Sequence, residues 1–105
     1  MVERAYSFAL TDQKIIERVF EDEHAAVNHM VLHRGDALPE HHASNVYMAV
    51  IRGTITLRLN DQEPCSYPHG TILAIPFRTL MNVSNQHDEA AEIFVFKAPG
   101  PAQMV

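Results

Sequence analysis

Cysteine occurs once, at Cys65, and tryptophan does not occur. One thiol cannot close an internal disulfide, so packing must hold the fold, and a reducing compartment is expected. Basic residues are few, eight Lys plus Arg against thirteen Asp plus Glu, and they do not cluster. A nucleic-acid backbone is therefore an unexpected partner. The first residues, MVERAYSFALTDQK, lack a basic segment followed by a long apolar one, so no signal peptide is expected. No apolar run approaches the length that crosses a bilayer. The expectation is a soluble, cytoplasmic protein with no membrane partner.

What is present is one domain's worth of chain. At 105 residues, 47% of them apolar, it can bury a core but has no room for a second one. Histidine is abundant. If all seven were protonated, the formal charge would move from −5 to +2. That abundance raises interest in metal or pH chemistry without locating either.

The pattern of apolar residues is that of short strands. Val2 to Leu10 reads as an edge strand. Thr11 to Phe20 carries both a helical spacing and an alternation, and is read as a strand because everything after it is β. Glu21-Asp22-Glu23 is a charged turn. In Ala25 to His33, Val27, His29 and Val31 share one face. Val46 to Ile51 is a continuous apolar strand closed by Arg52-Gly53. Thr54 to Asn60 alternates, Gln62 to Tyr67 returns, and Ile93 to Phe96 is the last strand. Between these, Gly70 to Asn85 (GTILAIPFRTLMNVSN) holds two strands joined by a turn at Pro76. About eight strands with turn signals between them suggest a sandwich or barrel.

That stretch resembles the second motif of the cupin superfamily: Gly, five residues, Pro, one residue, Gly, two residues, His, three residues, Asn. Gly70, Pro76 and Asn85 fall in register, with Arg78 at the second Gly and Met81 at the His. The first cupin motif is matched at Gly35, His41 and Gly53, with Leu38-Pro39-Glu40 leading into His41. The resemblance covers roughly residues 25–99. It implies an all-β fold, a double-stranded β-helix or jelly-roll barrel. It also implies a single cupin domain over 1–105, with N-terminal strands in 1–24 and a short tail at 100–105. Such small cupins are commonly homodimers, so a second copy is an expected partner.

The same resemblance implies a metal site of two His, one Glu and a further His. Of those four slots only the first is kept, as His41. The second falls on Ala43, although His42 adjoins it. The Glu slot, counted back from Gly53, is Val46, and the last His is Met81. The strand also reaches Gly53 early, so a local shift near Ser44-Asn45 is expected. Val46, Met48 and Val50 share one strand face, and with Met81 they would floor an apolar pocket. A divalent ion is not solvated by valine. His29, His41 and His42 are the candidates for rebuilding a metal site, if the backbone bulges after Pro39. Asp88, Glu89 and Glu92 read as a solvated loop and strand edge, Asn85 as a turn residue, and Cys65 as an inert thiol.

The reading that follows is a metal-free barrel holding a small organic ligand in an apolar pocket of Val46, Met48 and Met81, rimmed by His29, His41 and His42. No cofactor is favoured. The alternative is a metal-dependent enzyme of dioxygenase or isomerase type, with a divalent transition metal on His29, His41 and His42. Whether the chain is an enzyme at all is open at this stage, and no catalytic residue is assigned.

Overall fold

The computed structural model describes residues 2–42 and 45–99. Nine strands occur among them, and no helix: β1 (Ile15–Glu21), β2 (Ala26–Leu32), β3 (His41–His42), β4 (Val46–Arg52), β5 (Thr54–Leu59), β6 (Cys65–Pro68), β7 (Ile72–Ile75), β8 (Leu80–Ser84) and β9 (Ala91–Lys97). They form two antiparallel sheets. One has the order β1-β2-β9-β4-β7 and the other β3-β8-β5-β6. The fold is the expected all-β double-stranded β-helix. The expected strand over Val2 to Leu10 is not formed. That segment is irregular and lies across the outside of the five-stranded sheet, as its contacts below show. The shift expected near Ser44 falls partly outside the described residues, as does Ala43.

Strict alternation on β4, β5, β8 and β9 supplies the core. Val46, Met48 and Val50 meet Ile55, Leu57, Met81, Val83, Ile93 and Val95 between the sheets, all buried. Burial of this many aliphatic side chains is the main stabilising term, at about 1.5–3 kcal/mol for each fully buried one. The opposite face of β4 carries Tyr47, which is exposed as its parity requires.

Two bulges reset that alternation. On β4 the pairing with β9 slips between Val50 and Arg52, so Val50 stands opposite Ile93 and Arg52 opposite Glu92. Without the extra residue Arg52 would continue the parity of Val50 into the core. The bulge turns it outward instead. On β1 a slip between Arg18 and Phe20 puts Phe20 opposite Val27, on the face where Glu17 stands opposite His29.

Between β4 and β5 the chain passes from one sheet to the other at Gly53, with φ +72°. A Cβ there would lie 2.3 Å from the Ala90 carbonyl oxygen, so no side chain fits. The other fixed point is Asn85, fully buried at the end of β8. Its Nδ2 donates to the carbonyls of Leu32 at 2.8 Å and Glu89 at 2.9 Å, and its Oδ1 accepts from the His87 amide at 2.8 Å. Its structural role at the turn is thus a cross-link between the end of β2 and the loop entering β9.

Candidate functional site

The outer face of the five-stranded sheet carries a charged network built on adjacent strands. Glu17 on β1, His29 on β2 and Phe94 on β9 lie in one cross-strand row. Glu92, two residues before Phe94 on the same face, reaches diagonally to His29. His29 is fully buried. Its Nδ1 is 2.7 Å from Glu17 Oε2 and its Nε2 is 2.7 Å from Glu92 Oε2. On the far side of Glu92, the Arg52 Nε lies 3.5 Å from Oε1, and the Arg52 guanidinium also pairs with Asp12.

The N-terminal segment roofs this network. Phe8 packs on the His29 ring at 5.0 Å between centroids and edge-on to Phe94 at 4.8 Å. The Ala9 amide donates to Glu17 Oε2 at 2.9 Å. The Asp12 carbonyl is 2.5 Å from His33 Nε2, and Tyr6 stacks on Phe20. The Ala9 amide and the His29 ring hold the Glu17 carboxyl below the usual carboxylate range. Hydrogen bonding to Asp12, reinforced by the charges of Asp12, Glu92 and Glu89, raises Arg52 above its ordinary value. Beside the roof opens a recess of about 680 Å³, lined by Leu10, Thr11, Asp12, Gln13, Arg52 and Glu92.

The residues expected to form a barrel pocket are placed differently. Val46, Met48 and Met81 do face inward together, but none is more than 2% exposed, and all three belong to the packed core. They fill the barrel. All three are packed in the core, so none of them lines an open cavity. His29 is also corrected. Its parity partners on β2 are Val27 and Val31, while Met30 and Leu32 take the core side, so His29 stands outside the barrel. It does not join His41 and His42. These two form β3, with backbones paired to Met81 and Leu80, and their side chains lie outside the described residues.

The metal that the fold family implies meets a poor donor set. The carboxylate slot is Val46 and the last imidazole slot is Met81, both in the core. Valine offers no donor and a thioether is a soft, weak one, so these positions do not fit a divalent ion. Among the described residues no group of three or more His, Cys, Asp or Glu is arranged to hold a metal.

Glu17, Arg52 and Glu92 were not marked by the sequence. Arg52 and Glu92 meet only through a bulge that no local pattern announces. Glu92 had one usable signal. It alternates with Phe94 and Phe96, so it shares a face with aromatic groups that need cover. It is not the solvated edge residue expected, since its side chain is 16% exposed.

No family model matches this chain. An uncharacterised protein of Methanocaldococcus jannaschii is 38% identical over 106 residues, spanning 99% of this chain and 91% of that one. The crystal structure of an RmlC-like cupin family protein with a double-stranded β-helix fold, from the same organism, superposes with a TM-score of 0.94. It is 39% identical and is matched over 98% of this chain and 96% of its own. An uncharacterised conserved protein with a double-stranded β-helix domain from Klebsiella pneumoniae has a TM-score of 0.77 at 19% identity, over 92% of this chain and 86% of its own. A cupin 2 conserved barrel domain protein from Salinispora arenicola gives 0.70 at 17%, over 91% and 87% respectively. These last two share the fold alone. Two antiparallel sheets closed around one aliphatic core, together with the extent of the first two likenesses, place the chain in the RmlC-like cupin family.

Proposed function

We propose that this cupin is a binding module for a small polar organic molecule, held in the recess over Arg52 and Glu92 and without a metal. The observation that carries the reading is the buried imidazole behind the recess wall. It fixes Glu92 from one side while Arg52 pairs with it from the other, so the polar groups are set before a ligand arrives. The recess is wide open to solvent, so it suits a ligand that stays partly hydrated. Two carboxylates against one guanidinium, from Asp12, Glu92 and Arg52, leave the lining one negative charge in excess. A neutral or cationic polar ligand is therefore favoured over an anion. The experiment is an NMR screen of small amines, amides and polyols against uniformly labelled protein. Binders should shift the Gln13 and Arg52 amides, and Asp12→Asn should weaken the cationic ones at least tenfold. Binders that shift other regions, or none at millimolar concentration, would sink the reading.

We propose further that two copies pair through the same sheet. Tyr47, Ile51, Ile72 and Phe96 are exposed on or beside its outer face, at 49%, 52%, 75% and 40%. Tyr47 and Phe96 are cross-strand neighbours, and apolar groups gathered on a sheet face are costly to leave in water. A second copy of the same chain supplies the matching surface. No helix of the structure is long and apolar enough to cross a membrane. The free thiol of Cys65 is exposed, which suits a reducing compartment.

A further inference from the structure

We infer that Glu17, His29 and Glu92 form a proton-binding site, with His29 protonated on both ring nitrogens, and that this proton fastens the N-terminal segment to the sheet. The inference stands on the geometry of the three side chains and holds whether or not the recess takes a ligand.

A neutral imidazole has one N–H and one bare lone pair. Ionised carboxylates only accept. Here both ring nitrogens lie 2.7 Å from carboxylate oxygens, and the ring is wholly buried. A neutral ring would set a lone pair against a carboxylate at hydrogen-bond distance, with no water to intervene. A ring with two N–H groups satisfies both contacts. The alternative, a neutral ring facing a protonated carboxyl, asks the more acidic group to hold the proton. The cluster then carries one positive and two negative charges.

The surroundings agree. From β1 comes Glu17, from β9 Glu92, from β4 Arg52 and from the N-terminal segment Asp12. Further along the segment Lys14 pairs with Asp36, and Glu89 acts on Arg52. Arg18 bonds Asn28 on the other face of β2. Asp12 offsets Arg52, so the charge nearest the ring is the pair of glutamates.

One atom links the proton to the segment. Glu17 Oε2 accepts both the Ala9 amide and the His29 Nδ1 proton. Phe8, the preceding residue, covers the ring. On the other side Glu92 meets Arg52, which holds Asp12 and, at 3.5 Å, the Thr11 carbonyl. Each carboxylate that holds the proton also holds a stretch of residues 8–12. Removing the proton leaves a buried lone pair against an anion, and the relief available is for the roof to lift and admit water. The segment is then docked while the ring is charged and released when it is neutral.

The test follows the ring and the roof in one labelled sample. Nitrogen NMR at neutral pH should show both His29 ring nitrogens protonated. Where raising the pH removes the second ring N–H signal, the protection factor of the Ala9 amide should fall at least tenfold, while amides of β5 in the other sheet keep theirs. In Glu17→Gln, whose position on an edge strand spares the core, Ala9 should lose protection already at neutral pH. A single bare nitrogen on His29 at neutral pH would overturn the proton assignment. Ala9 protection that stays constant when the second ring N–H signal is lost would overturn the coupling.

Discussion

Asn85 Nδ2 lies 2.8 Å from the Leu32 carbonyl, fifty-three residues earlier in the chain, with both groups out of contact with water. Replacing Asn85 with Ala strands the Leu32 and Glu89 carbonyls and the His87 amide. Leaving buried polar groups unpaired costs about 1–3 kcal/mol each when water cannot reach them. The expected loss is about 2–3 kcal/mol in a denaturant titration, since the loop can admit some water. A loss well under 1 kcal/mol would show that Asn85 is not a cross-link.

Arg78 offers the opposite kind of change. It stands where the cupin motif has its second glycine, and it keeps a glycine's backbone, with φ +67°. A left-handed conformation costs a residue with a Cβ about 1–2 kcal/mol. The guanidinium lies 5.1 Å from the Phe77 ring centroid, an exposed contact that returns about 0.5–1 kcal/mol. Arg78→Gly should therefore stabilise the protein by about 0.5–1 kcal/mol, read as a higher denaturant midpoint. A lower midpoint would mean that the ring contact outweighs the backbone strain.

Acid should weaken the fold through carboxylates that accept backbone amides. Asp22 is held below its ordinary value by the Ala25 and His24 amides, Asp36 by the His33 amide and then Lys14, and Glu17 by the Ala9 amide and His29. A folded-state value below the unfolded one contributes stability that is complete above the ordinary carboxylate range. It is lost as pH falls through the depressed folded values. The contribution of these three carboxylates to the denaturant midpoint should thus be complete near neutrality and decline below about pH 4. Asp36→Asn should lower the midpoint at neutral pH and flatten the acid decline. An unchanged slope in that variant would remove Asp36 from the account.

The pairing of copies has a direct readout. Sedimentation at micromolar concentration should give a dimer, and Ile72→Glu, on the exposed face of β7, should shift it to monomer with the fold intact. A monomer for the unaltered chain would end the proposal.

Much of the architecture could be read from the sequence because alternation on β4, β5 and β9 is strict. Gly53, Gly70, Pro76 and Asn85 also mark where strands must turn. The inward set of Val46, Met48, Val50 and Met81 followed from parity alone. The pocket did not, because parity tells which side chains meet and not whether space is left between them. Parity groups His29 with Val27 and Val31, but which face of β2 meets the second sheet depends on pairing with β9. The Arg52–Glu92 contact needed a bulge, and the roof over His29 needed residues with no periodicity at all. Phe8 and Ala9 act through one ring face and one amide, and neither leaves a pattern in sequence.

The irregular first dozen residues change where the working unit of this molecule should be drawn. A boundary set at the motif-bearing part, near Ala25, keeps every strand of the aliphatic core. It also removes Glu17, Phe8 and Asp12 together. That would expose the Phe94 ring, leave His29 with one carboxylate, and leave Arg52 without its acidic partner on the segment. For anyone trimming the chain or fusing a label to its front end, the part with the least regular structure is the part to leave untouched.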